Sequence, residues 1–381
     1  MAQHGQSRKA VIAGHICIDI TPVFPPHMKK AGELSDVLRP GKLVNVASPD
    51  VHTGGAVANT GLGMKKMGAD VKLLGKVGDD AFGGMIRAIL DRYGAGNDLI
   101  TAAGESTSYS IVLAVPGVDR VFLHCPGAND TFDGSEITED SLSDAALFHF
   151  GYPPLMKKMY ENGGERLAAL FRRIHGMGIA TSLDLAAVDP GSEAGAEDWK
   201  KILAAVLPYV DFFVPSFEEL CFMLDRPRYE RLLKEAGDGD ITAIVSVEKD
   251  IRPLAEECLA LGAKAVLLKC GAPGMFLMTS GHMEEAGARL GLSPEAWNGF
   301  ENFEGSYKID RVLSGTGAGD TSIAAFLTSL LEGCGPKEAM ENAAGAGALC
   351  CMAYDAVSGL VPLDEIRKKI DAGWEKACFA K

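Results

Sequence analysis

The sequence predicts an α/β fold, a mainly parallel central sheet with helices on both faces plus a small β lid, and three observations carry that prediction. Short apolar strand candidates alternate with helical periodicities along most of the chain, the pattern of strands connected by crossover helices. Two separated stretches, Ser108 to Leu113 and Arg120 to His124, instead alternate in the manner of a small antiparallel flap. The length of 381 residues with 47% hydrophobic content suffices for one large core.

Taken in order, the strands are expected at Val11 to Ile16, Val71 to Leu74, Ala146 to Phe150, Ile179 to Leu183, Phe212 to Val214 and Ala265 to Leu268. Helices are expected over Ala56 to Met67, Ala81 to Tyr93, Leu155 to His175, Ile323 to Leu331, Lys337 to Met352 and Leu363 to Lys376. Between Asp19 and Asp50 the pattern lapses into Pro22, Pro25, Pro26 and a basic, turn-rich segment, then recovers at Val44-Asn45-Val46. The tetrapeptide Gly237-Asp238-Gly239-Asp240 reads as a helix end and loop, and His282 to Lys308 as an extended connection without clean periodicity. No internal repeat appears, so a solenoid is not expected.

The net charge of −14 argues against nucleic acid as a partner, because binding a phosphate backbone needs a basic surface. Nine cysteines lie scattered without C-x-x-C spacing and read as small core residues in a reducing compartment. The N-terminus lacks an apolar signal core, and no apolar run reaches the roughly 20 residues of a membrane span, so a cytoplasmic protein with no membrane partner is expected.

The chemistry concentrates in Leu313-Ser314-Gly315-Thr316-Gly317-Ala318-Gly319-Asp320-Thr321-Ser322, a glycine-rich turn with a carboxylate directly before an apolar helical pattern. The first N–H groups of a helix have no intrahelical partner, and with the helix dipole they attract phosphate. Gly315, Gly317, Ala318 and Gly319 would present those N–H groups, glycine allows close backbone approach, and Asp320 would take the proton of an attacking hydroxyl. One turn would then hold both the electrophile and the base. Upstream, Gly54-Gly55 lets the backbone come close without a Cβ, while Asp19 and Asn59 offer directional hydrogen bonds to an acceptor's hydroxyls. His15 and His52 beside these motifs read as satisfied structural histidines.

With the anion turn and the run from His52-Thr53-Gly54-Gly55 through Asn59 and Gly61 to Gly78-Asp79-Asp80-Ala81-Phe82-Gly83 both in view, the chain resembles the ribokinase-like (PfkB) family of carbohydrate and nucleoside kinases. The resemblance implies a single domain over 1–381 with a lid formed from about 19–50 and 105–127. Gly14-His15-Ile16-Cys17-Ile18-Asp19 looks like the family's first strand, whose closing acidic residue binds substrate hydroxyls, and Asp119-Arg120-Val121-Phe122 with Gly127-Ala128-Asn129 is similar to the lid and its following turn. Glu219 matches the acidic residue of the family's Asn-x-x-Glu element, which organises Mg²⁺ through water, although Ser216 replaces the asparagine. The resemblance places Gly315, Thr316, Lys269, Gly271 and Gly274 on the nucleotide side and Asn342 on the adenine-side helix. It implies ATP and Mg²⁺ as cofactors and a sugar or nucleoside as substrate; a homodimer through the lid is expected because the flap would otherwise leave strand edges exposed.

Departures narrow the expectation. Ser314 stands where many members carry an aspartate of a monovalent-cation site, and Asp184-Leu185-Ala186-Ala187 lacks the asparagine and arginine found in several sugar-acid and fructose kinases. A dinucleotide-dependent oxidoreductase lacks its G-x-G-x-x-G after the first strand, and a P-loop kinase lacks G-x-x-x-x-G-K-[ST]. A nucleoside kinase of the same fold and a catalytically silent sugar sensor remain as alternatives.

Overall fold

The computed structural model describes residues 8–25, 31–118, 121–237 and 239–378. Asp119, Arg120, Pro26 and Asp238, singled out above, lie outside the described residues, as do residues 1–7. Thirteen strands appear among the described residues: β1 (Lys9–Gly14), β2 (Cys17–Thr21), β3 (Asp50–Gly54), β4 (Asp70–Gly78), β5 (Ile100–Ala102), β6 (Tyr109–Leu113), β7 (Val121–Cys125), β8 (Ala145–Gly151), β9 (Ala180–Leu183), β10 (Phe212–Phe213), β11 (Ala265–Lys269), β12 (Gly274–Thr279) and β13 (Glu301–Gly305). Nine form the main sheet in the order β13-β12-β11-β10-β9-β8-β1-β4-β5, parallel except for the β11-β12 and β12-β13 pairs. The other four form a separate small sheet, β3-β2-β6-β7.

Alternation along β1 shows why both faces must be covered. Ala10 and Ile12 point into a core shared with Leu62, Leu73, Phe326 and Ala343, whereas Val11 and Ala13 point into the opposite one with Phe148, Phe150, Phe171 and Phe213. A strand buried on both sides reads as a continuous apolar run, which is how these strands are visible in the sequence. Each fully buried Val, Leu, Ile or Phe among them contributes about 1.5–3 kcal/mol, so the two cores hold the sheet in place.

Four stretches differ from the sequence reading. The expected strand Val11 to Ile16 ends at Gly14 (φ +121), where a Cβ would fall 2.2 Å from the Gly151 carbonyl oxygen; the chain then crosses to the small sheet, so Asp19 sits on β2 and not on the first strand. Val44-Asn45-Val46 forms no strand, and the edge of the small sheet beside β2 is β3. His282 to Lys308 is an ordered edge: the helix Glu284–Leu290, a short helix Pro294–Trp297 and β13, which pairs antiparallel with β12. Its faces change partner every few residues, with Trp297 buried and Glu301 exposed, which hides any single period. The helix expected over Leu155 to His175 is also interrupted, by non-helical backbone at Glu161 to Gly164. Among the described residues no helix is long and apolar enough to cross a membrane.

Candidate functional site

The helix Ala318–Leu331 begins one and a half turns earlier than its apolar pattern suggests, because residues 318–320 face a cavity and carry no apolar signature. Gly317 caps it with φ 77°, a left-handed conformation that favours glycine, and a Cβ there would meet that of Ala356 at 2.2 Å. Thr321 N–H makes the helix-opening bond to Gly317 O at 2.9 Å, leaving the N–H groups of Gly319 and Asp320 in the first turn ahead of it. The Ala318 N–H is turned back to Gly315 O at 3.2 Å, and Ser314 Oγ accepts from Thr316 N–H at 3.1 Å. The turn is therefore braced by its own chain, with fewer N–H groups facing outward than the sequence alone suggests.

Asp320 is the third helical residue and is 4% exposed. Tyr152 Oη donates to both carboxylate oxygens at 2.8 Å, and Asn59 Nδ2 donates to Oδ2 at 2.9 Å. Burial raises the Asp320 carboxyl above the usual carboxylate range, while the Asn59 and Tyr152 hydrogen bonds and the Lys269 charge pull it back. Packing explains how Asn59 arrives there. It lies on the helix Ala56–Lys66, and one turn further along both helices a Cβ on Gly63 would come within 2.8 Å of Ala324 Cβ, so only glycine allows this approach.

Two cavities meet at the turn. The larger, about 740 Å³, is lined by Lys269, Gly271 and Gly274 as well as Gly315, Gly317, Ala318, Gly319, Asp320, Glu219, Asp184 and Tyr152. The second, about 540 Å³, is lined by Asp19, His52, Asn59, Gly315 and Thr316, with Tyr93, Val112 and Phe122 among its apolar walls. Gly315 faces both. Lys269, at the end of β11, bonds to Asp184 Oδ1 at 2.6 Å and to Val214 O at 2.7 Å; burial nonetheless pushes the Asp184 carboxyl up to about 8. Glu219 forms a capping box with Ser216, accepting from the Ser216 N–H at 2.9 Å and donating its own N–H to Ser216 Oγ at 3.3 Å.

Gly54 and Gly55 are close-approach positions, but toward their own chain. A Cβ on Gly54 would fall 2.2 Å from Asp19 Oδ2, and one on Gly55 2.5 Å from the His15 carbonyl oxygen. Asp19, raised by burial, thus lies against bare backbone at the cavity wall. His52 is half-exposed and pairs with Asp50 at 2.6 Å. His15 is buried but not satisfied: neither ring nitrogen has a hydrogen-bond partner, burial lowers it to about 3, and it packs between His124 and Tyr152.

Asn342 needs correction. It is 1% exposed and donates to Ser329 Oγ at 3.0 Å between two helices, away from the cavity. Its helix, Pro336–Cys350, presents Ala344, Gly347 and Ala348 to the cavity, and Asn342 stands two residues, some 200° of rotation, from Ala344. Tyr152, which the sequence reading passed over, is the main addition. Its only sequence signal is Gly151-Tyr152-Pro153-Pro154 closing a buried strand, a sharp stop where the chain leaves the sheet.

The chain is similar to known proteins over most of its length. The profile described as pfkB family carbohydrate kinase matches residues 9–362. A protein named uncharacterized sugar kinase from Archaeoglobus fulgidus is 26% identical over 302 residues, 78% of this chain and 98% of that protein. The ribokinase of Arabidopsis thaliana is 23% identical over 341 residues, 89% of this chain and 76% of that protein. Its structure complexed with ribose and ATP superposes with a TM-score of 0.70, 19% identity, and coverage of 95% of this chain and 98% of that one. A fructokinase from Xylella fastidiosa with bound ATP gives a TM-score of 0.70 at 17% identity, covering 96% and 99%. With a family profile running from the first strand of the main sheet to Pro362, the residue before the last helix, the chain belongs to the pfkB family of carbohydrate kinases.

Proposed function

We propose that the larger cavity takes ATP, the smaller takes a sugar or sugar-like alcohol, and Asp320 is the base that couples them. The observation that carries this reading is the turn at Gly315 to Asp320: Gly315 lines both cavities, and Asp320 in the larger is bonded to Asn59 in the smaller. The acceptor oxygen attacks the γ-phosphorus, the bond from phosphorus to the departing ADP oxygen breaks, and the hydroxyl proton passes to Asp320. A carboxylate whose proton affinity is raised by burial is better matched to that transfer than an exposed one. First-turn N–H groups at Gly319 and Asp320 and the Lys269 ammonium carry the charge that develops on the phosphoryl oxygens. Gly271, Gly274 and Thr316 belong to the nucleotide side, and Asp19, Gly54, Gly55 and Asn59 to the acceptor side.

Asp184 and Glu219 supply hard oxygen donors to the larger cavity, the donor type Mg²⁺ prefers. Among the described residues no group of three or more potential ligands is preassembled for a metal, which fits an ion that takes most of its ligands from phosphate and water. Mg²⁺ would neutralise nucleotide phosphate charge there, with Glu219 as its organiser. We propose that the small sheet is a lid that excludes water over the acceptor; Phe122 and Leu123 on its outer strand β7 are 55% and 52% exposed and suit a second copy of the chain. Sedimentation would report that dimer. The acceptor cavity's Tyr93, Val112 and Phe122 also offer apolar surface to the flat face of a nucleobase, so a nucleoside is the second reading.

An ADP-release screen over pentoses, hexoses, sugar acids and nucleosides, run with wild type and Asp320→Asn, tests the assignment. Turnover of one acceptor class that falls roughly 10²–10⁴-fold in the variant supports it. Equal turnover in both proteins removes Asp320 from the mechanism.

A further inference from the structure

Tyr152 is held in place by its own backbone and by its neighbours in sequence. It is a non-glycine residue in left-handed conformation (φ 66, ψ 42), a backbone state costing on the order of 1 kcal/mol or more that concentrates at functional sites. Before it, Gly151 admits no Cβ, which would lie 2.1 Å from that of Ala56; after it, Pro153 and Pro154 open a short 3-10 turn. The phenol is thereby delivered from the end of β8 to the opening of the helix Ala318–Leu331.

We propose that Tyr152 is the positioning residue of the base: its hydroxyl, shared between the two oxygens of Asp320, fixes the carboxylate plane and leaves Oδ1 as the oxygen with an open lone pair. This deepens the assignment of Asp320 as base and rests on it. Both contacts are 2.8 Å, the geometry of one O–H bisecting a carboxylate. The remaining donors divide unequally. Asn59 occupies Oδ2 at 2.9 Å, whereas Oδ1 has only Thr60 Oγ1 at 3.5 Å, a distance too long for a good O–H···O bond, so Oδ1 keeps a lone pair for the incoming proton. Tyr152 itself stays a phenol, since burial and the neighbouring carboxylates raise it well above its ordinary value, and it cannot replace Asp320 as base.

Tyr152→Phe keeps the ring and its contact with His15 but removes the donor. Kinetics with ATP and whichever acceptor the screen identifies should show kcat reduced about tenfold or more, KM for ATP within twofold of wild type, and the acid limb of the kcat–pH profile moved to higher pH, because the lost hydrogen bond no longer stabilises ionised Asp320. In an Asp320→Asn background the same substitution should change residual kcat less than twofold. Wild-type kcat and an unmoved acid limb in Tyr152→Phe, or an equal loss in both backgrounds, would overturn the positioning role. Should Tyr152→Phe fold poorly, Tyr152→His, which retains a ring donor, supplies the second variant: partial recovery of kcat supports the proposal, and activity no better than Tyr152→Ala contradicts it. Undiminished turnover by Asp320→Asn alone would instead strike the base assignment and leave the two failures distinguishable.

Discussion

Lys269 Nζ and Asp184 Oδ1 stand 2.6 Å apart at the floor of the larger cavity, with Asp184 only 2% exposed, so the one ammonium on β11 is held against a carboxylate that burial disfavours as an anion. The pair has a pH signature. The folded carboxyl sits near 8 against an ordinary value near 4, so between these limits the folded state holds a proton that the unfolded chain releases. A raised carboxyl contributes stability that is whole below pH about 4 and is lost as pH rises through about 8. Wild type should therefore lose stability relative to Asp184→Asn across that window, by up to about 1.4 kcal/mol per pH unit, and the difference should level off above it. Thermal melts of both proteins from pH 5 to 9 measure this; parallel curves would mean that Lys269 keeps Asp184 ionised throughout.

Gly315 and Gly317 make different demands within the same turn. Gly317 combines φ 77° with a Cβ position 2.2 Å from that of Ala356, so Gly317→Ala should destabilise the protein by roughly 2 kcal/mol or more through backbone strain and overpacking together. Gly315 has neither constraint, and a Cβ there meets nothing within 4 Å. Gly315→Ala should leave the melting temperature unchanged and raise KM for nucleotide or acceptor, since the added methyl enters space that both cavities share. Calorimetry and initial rates on the two variants separate the turn's structural need for glycine from its functional one.

Asp320, the glycine turn, Asp19 and Asn59 were legible because their chemistry is local: a helix start, a carboxylate beside it, and glycines where backbone must come close. What the sequence did not carry was decided by long-range packing. Tyr152 and Asp320 are 168 residues apart, and nothing near Tyr152 announces that β8 ends opposite that helix. Asn342 failed for a related reason, since helical periodicity gives a face but not which neighbour that face meets, and the adjoining helix claimed it through Ser329. The parallel strands were visible as continuous apolar runs, whereas β12 and β13 form an antiparallel edge that follows no crossover pattern. Gly14 hid a change of sheet inside an apparently continuous strand.

Glu219 does two jobs that substitution can pull apart. Its carboxylate accepts the Ser216 N–H and closes a capping box on the helix Phe217–Leu224, and the same side chain lines the larger cavity. Gln keeps an oxygen for the Ser216 N–H but removes the charge, whereas Ala removes both. Glu219→Gln should hold its melting temperature close to wild type while the Mg²⁺ concentration for half-maximal rate rises several-fold, and Glu219→Ala should show the same Mg²⁺ effect plus a stability loss of about 1 kcal/mol from the broken cap. The comparison is read from Mg²⁺ titrations at saturating nucleotide alongside melts of each variant. An unchanged Mg²⁺ requirement in Glu219→Gln would confine Glu219 to capping, leaving Asp184 and Glu218, which line the same cavity, as the carboxylates for the ion.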